Sequence, residues 1–109
     1  MIEIRHYVSM SGKNVFDGWL ATLNDSRVAA RIVARLDRLA AGNFGDCKPV
    51  GGGVFEMRIA QGPGYRVYYA MIGRICVLLL CGGDKRRQSA DIASANRYLN
   101  DYKRRSGKP

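Results

Sequence analysis

From Phe55 to Gln88 apolar and polar residues alternate as they do along strands, whose side chains point to opposite faces with a period of two. In the first run Phe55, Met57 and Ile59 share one face and leave Glu56 and Arg58 on the other. In the second run Tyr65, Val67, Tyr69 and Met71 share a face opposite Arg66 and Tyr68. Gln61-Gly62-Pro63-Gly64 joins the two, with glycine and proline supplying turn chemistry. Ile72-Gly73 makes a tighter turn into a third strand, Arg74 to Cys81, which is apolar on both faces, as a strand covered on both sides should be. Neighbouring antiparallel strands put their polar faces on the same side of the sheet. Glu56, Arg58, Arg66 and Tyr68 are therefore expected in one cluster, with Lys85, Arg86 and Arg87 arriving from beyond the third strand.

The flanking pattern is helical. Ile2 to Val8 alternates and predicts a short first strand, ended by Gly12. Val15, Phe16, Trp19, Leu20 and Leu23 recur at helical spacing over about Asn14 to Asn24. Asn24-Asp25-Ser26 then offers a stop and an N-cap for a helix over Arg27 to Ala41, with Val28, Ile32, Leu36 and Leu39 on its apolar side. So short a connection predicts an antiparallel helical hairpin. Phe44 to Gly53, with Pro49 and three consecutive glycines, reads as a flexible loop; it lacks the following Gly-Lys-Ser/Thr of a P-loop. The third strand ends at Gly82-Gly83, where backbone is able to approach a ligand. A last helix, about Gln88 to Lys103, carries Ile92, Ala95, Leu99 and Tyr102 on one side, and Lys103 to Pro109 reads as a frayed basic tail. The order is strand, two helices, three antiparallel strands, helix. It predicts an α+β fold with the helices on one sheet face and the opposite face partly open.

Composition narrows the partners. The 109 residues suit one domain with a modest core, and 18 Lys and Arg against nine acidic residues give a formal charge of +9. The charge is uneven, with +5 of it in residues 84–109. Such a surface favours polyanions, nucleic acid first. The second helix adds a stripe of Arg27, Arg31, Arg35 and Arg38, which is either a solvated face or a ridge contacting phosphates without reading sequence. Three cysteines, Cys47, Cys76 and Cys81, form no CxxC pair and read as small buried hydrophobes in a reducing compartment; Cys76 and Cys81, five apart, are expected on opposite faces of their strand. With His6 the only histidine, no metal is expected. The longest apolar run is far shorter than a membrane span and no signal peptide is visible, so a cytoplasmic protein with no membrane partner is expected.

The residues then become recognisable as a set. GPGYRVYY (Gly62 to Tyr69), LLLCGGDK (Leu78 to Lys85) and Gln88 with Asp91-Ile92 resemble the RelE/ParE toxin superfamily, most of all its HigB-like branch of addiction module killer proteins. The similarity runs from Phe16–Trp19 to Tyr102. It implies a RelE-like fold of order β-α-α-β-β-β-α and a role as the toxin of a type II toxin–antitoxin system. RelE and HigB toxins are small ribonucleases that enter the ribosomal A site and cut mRNA, and a cognate antitoxin blocks them. ParE members share the fold but poison DNA gyrase. The implied partners are thus a cognate antitoxin, mRNA and the ribosome, with no small-molecule cofactor. By position, Arg66 matches the arginine of the GYR motif that binds the scissile phosphate. Arg58 and Lys85 match basic residues on the preceding strand and after the last one. Glu56 stands where RelE has a further basic residue, and Asp91 where RelE has a tyrosine.

The chemistry expected is metal-independent cleavage by the substrate's own 2′-hydroxyl. Arg66 and Arg58 hold the nonbridging oxygens, Lys85 adds charge near the leaving oxygen, and Glu56, or failing it Asp91, is the general base. Tyr68, Arg86, Arg87, Gln88, Arg27, Arg31 and Arg35 are the candidate RNA contacts. Four of the candidates have a plainer reading: a cross-strand salt bridge for Glu56, a packed ring for Tyr68, caps of the last helix for Gln88 and Asp91. Two other functions fit the same resemblance and charge: a ParE-like gyrase inhibitor without catalysis, and an RNA-binding module without turnover.

Overall fold

The computed structural model describes residues 1–107, so residues 108–109 of the expected tail lie outside the described residues. The fold is α+β, as the pattern predicts. Strand β1 (Glu3–His6) leads through Asn14, whose side chain caps the next helix, into α1 (Val15–Leu20). This helix is shorter than its apolar periodicity suggests. Asp25 caps α2 (Ser26–Ala40) through its bond to the Arg27 amide. Then come β2 (Cys47–Gly51), β3 (Val54–Ile59), β4 (Tyr65–Ile72) and β5 (Cys76–Asp84), a 3-10 turn over Lys85–Arg87, and α3 (Gln88–Arg105). The sheet order is β1-β5-β4-β3-β2, antiparallel except for the β1–β5 pair.

Three expectations fail here. Phe44 to Gly53 is not all loop, because Cys47–Gly51 pairs with β3 as an edge strand. Pro49 is tolerated at an edge, where one side of the ladder is free, and a register shift beside it absorbs the irregularity. Gly51, Gly52 and Gly53 all take positive φ and make the turn between β2 and β3. The helices do not share one face either. The α1–α2 hairpin packs Phe16, Val28, Ile32 and Leu39 on Met57, Ile59, Val67 and Tyr69. Helix α3 packs Ala95 and Leu99 on the other face against Val54, Tyr68, Ala70 and Leu80, which closes the side expected to stay open. The last helix also continues to Arg105, where Asp101 pairs with both Arg104 and Arg105 and accepts from the Tyr7 hydroxyl. Lys103 to Arg105 are thus helix rather than tail.

A bulge shifts the β4–β5 register between Tyr68 and Tyr69 and leaves Leu80 as the extra residue. It reverses the alternation in the last part of β5. Leu78, Leu80 and Cys81 all join the α3 layer, and by alternation Cys76 lies on that side too, so the two cysteines do not face opposite ways. The bulge also decides what the glycine pair does. A Cβ on Gly82 would fall 2.2 Å from the Trp19 ring of α1, and one on Gly83 would fall 1.9 Å from Asp91 Oδ2 of α3. The space expected to admit a ligand is filled from both sides by the protein itself. Gly82→Ala is expected to lower stability by about 1–3 kcal/mol, the usual range for overpacking. A lower denaturation midpoint at unchanged m-value checks it; an unchanged midpoint would mean that the indole moves aside without cost.

Candidate functional site

The sheet end opposite the β4–β5 turn collects the expected cations. Arg58 on β3 and Arg66 on β4 are direct cross-strand partners, and Arg66 in turn pairs with Gly83 of β5. By alternation both arginines leave the sheet on the α3 side, the side of Glu56 and Tyr68. Past β5, Asp84 accepts from the Arg86 amide and caps the 3-10 turn. The Lys85 amide donates to Gly64 O at 2.9 Å, which ties the turn to the β3–β4 connection. Arg58, Arg66 and Lys85 therefore line one pocket of about 470 Å³, floored by Gly62-Pro63-Gly64.

Glu56 is not presented to that pocket. Its side chain is 0 % exposed. Oε2 accepts from Gln88 Nε2 at 2.7 Å and from the Tyr68 hydroxyl at 3.2 Å, and Oε1 lies 3.6 Å from Arg66 Nε. Burial and the nearby carboxylate hold the Tyr68 hydroxyl well above the ordinary phenol range, so it stays a donor. The carboxylate thus sits behind Arg66 and joins β3, β4 and the start of α3. The Arg66 side chain is only 12 % exposed, so its free edge is confined to the pocket side.

Other candidates are placed apart. Arg86 pairs with Asp84, and Arg87 is well exposed, 3.7 Å from Asp91. Asp91 is buried against Gly83, with Oδ2 unpartnered. Arg27 pairs with Asp25 at the start of α2. Arg31, Arg35 and Arg38 line a second pocket of about 240 Å³ that shares Arg58 with the first, and Arg35 Nη1 donates to Arg58 O at 2.7 Å. The cationic surface is therefore continuous from α2 to the 3-10 turn.

One residue of the site escaped the sequence reading. Asp46, just before β2, contacts Arg58 Nη2 at 2.9 Å and Nε at 3.3 Å. Arg58 holds this carboxyl below the usual range, and Asp46 raises the guanidinium in return. Its signal was hidden with β2: only once Cys47 is paired with Met57 does Asp46 fall beside Arg58. Among the described residues no group of three or more His, Cys, Asp or Glu is placed to hold a metal ion, and no helix is long and apolar enough to cross a membrane.

A small α+β scaffold with a cationic pocket at one sheet end is the class of protein that these features define. Residues 18–103 match the family described as phage derived protein Gp49-like (DUF891), and the chain belongs to it. It is a family of addiction-module killer and toxin-like proteins. The chain is also similar to a Haemophilus influenzae protein of uncharacterised function, 52% identical over 80 residues, which are 73% of this chain and 81% of that protein.

Burial lifts the Asp91 carboxyl above its ordinary range, with Arg87 opposing. A raised carboxyl favours the folded state below its unfolded pKa and loses that contribution as pH rises through the folded value. Asp91→Asn should therefore match or exceed the wild type in stability near neutral pH, and lose any advantage as the pH falls through the carboxyl range. Urea unfolding across pH checks it; an advantage kept in acid would show that the buried charge is not its source.

Proposed function

We propose that the chain is the toxin of a type II toxin–antitoxin pair and acts as a metal-independent endoribonuclease on ribosome-bound mRNA. The observation that supports this most is the convergence of Arg58, Arg66 and Lys85 on one pocket, with Arg66 braced from behind by a buried carboxylate. Cleavage by the 2′-hydroxyl places its developing charge on the nonbridging phosphate oxygens, and fixed donors aimed there lower the barrier without reorganising. Arg66 and Arg58 offer guanidinium forks that fit two oxygens each, and Lys85 offers a point charge for the leaving oxygen. The products are a 2′,3′-cyclic phosphate and a 5′-hydroxyl. The arginines of α2, with Arg86 and Arg87, would hold the RNA backbone on either side of the pocket. The antitoxin is expected to meet this basic face with an acidic or apolar segment.

In this reading Glu56 positions and does not exchange protons with the substrate. It lies 3.6 Å from Arg66 Nε, and with Arg66 Nη1 3.5 Å from Tyr65 O, Nη2 is the donor left for phosphate. Tyr68 and Gln88 act through the same carboxylate, and Asp91 supports the start of α3.

Primer extension on mRNA after induction tests the proposal. Wild type should give cuts in phase with codons, and only while translation runs. Arg66→Ala should reduce cutting roughly 10²–10³-fold. Glu56→Gln should cost less than Arg66→Ala, because the guanidinium is loosened and not lost. An equal loss would return Glu56 to the role of base, and uncut transcripts with DNA damage would favour gyrase as the target.

A further inference from the structure

Among the described residues, Asp46 is the one carboxylate lining the pocket that holds Arg58, Arg66 and Lys85. It is fixed from two sides. Its backbone carbonyl accepts from the Arg58 amide at 2.9 Å, and its side chain takes the Arg58 guanidinium. Both guanidinium contacts fall on Oδ1, so among the described residues nothing hydrogen-bonds Oδ2. The side chain is 55% exposed, unlike the closed Glu56 and the buried Asp91. Asp84, the remaining acid near this end, is occupied in capping the 3-10 turn and pairing with Arg86.

We propose that Asp46 is the proton acceptor for the attacking 2′-hydroxyl, a role that rests on the ribonuclease reading above. Asp46 Oδ2 takes the 2′-hydroxyl proton as O2′ bonds to phosphorus. The bond from phosphorus to O5′ breaks, and the departing oxygen takes a proton from solvent beside the Lys85 ammonium. Asp46 then returns its proton to solvent. No oxidant, reductant or metal is needed to balance the step.

The pairing with Arg58 prepares this role. It keeps the carboxylate ionised before substrate arrives. An exposed ion pair is easily exchanged, and an incoming phosphate competes for the same fork. As the phosphate takes Arg58, the carboxylate loses its partner and becomes a better base at the moment when a 2′-hydroxyl is beside it. The same negative charge opposes phosphate binding, so the residue should cost affinity while it supplies rate.

That opposition of signs is the test. Full-length wild type, Asp46→Asn and Asp46→Glu are compared in two measurements: cutting of mRNA on programmed ribosomes, and binding of a short RNA carrying a 2′-deoxy nucleotide so that it is not cut. Asp46→Asn should cut roughly 10²–10⁴-fold more slowly while binding the deoxy-substituted RNA as tightly as wild type or more tightly. Asp46→Glu should recover part of the rate. Cutting by Asp46→Asn at the wild-type rate overturns the assignment and leaves the ribonuclease reading standing, as does a loss of cutting matched by an equal loss of binding. A wild type that cuts no RNA on or off the ribosome, while still arresting growth, removes the ribonuclease reading and the base with it.

Discussion

Arg58 and Arg66 stand directly opposite each other on adjacent strands, an arrangement of like charges that ordinarily destabilises a sheet. The site depends on how that repulsion is offset. Each arginine has its own carboxylate, Asp46 for Arg58 and Glu56 for Arg66, and the two carboxylates differ in what surrounds them. Glu56 is wholly enclosed, and a charge so placed must be paired and hydrogen-bonded to be tolerated. Tyr68 and Gln88 hydrogen-bond its Oε2 and Arg66 faces its Oε1 as an ion pair without a hydrogen bond, and together they fasten β3, β4 and the first turn of α3 to one another. Removing one member of such a buried pair costs about 3–5 kcal/mol, so the position of Arg66 is built into the fold.

The packing of β5 serves the same end. The extra residue at Leu80 turns Gly82 toward α1 and Gly83 toward α3. Trp19 and Asp91 then press on the strand from opposite sides at distances that no side chain on either glycine would allow. This brings the start of α3 down onto the sheet, and Gln88 within reach of Glu56. The glycine pair contributes to the site by letting two layers close on a strand, not by opening backbone to a ligand.

Much of this was legible from alternation. The period of two places Glu56, Arg58, Arg66 and Tyr68 on one side of the sheet, and the structure puts them there. The helical hairpin and the antiparallel β3–β4–β5 run follow from apolar spacing and turn residues. What alternation does not carry is depth. Glu56 and Arg58 share a face, yet one is enclosed, with Gln88 at the start of α3 bonded to it, and the other meets solvent. The alternation of β5 was misread beyond Leu80, since a bulge changes parity without a residue type that marks it. Strand β2 was hidden by Pro49 and the three glycines, which suit a loop and an edge hairpin equally well. With β2 went Asp46, whose relation to Arg58 exists only through the pairing of that edge strand.

The two arginines thus have unlike freedoms. Arg66 is 12% exposed and pairs through Nε with an enclosed carboxylate, while its Nη1 reaches Tyr65 O, so little of its side chain is free to swing. Arg58 is held by a carboxylate that is 55% exposed, an ion pair of the kind that contributes little and exchanges readily. A pocket of two rigid arginines would fit a single backbone path, and one of two mobile arginines would lose much of its binding in ordering them. In the proposed reaction, one of each would give a well-held point of contact for the reacting phosphate and a second contact that adjusts to it. Under the proposed ribonuclease reading, the arginines of α2 that share a pocket with Arg58 would bring an RNA strand near, and the choice of a single phosphate would fall to the more enclosed Arg66.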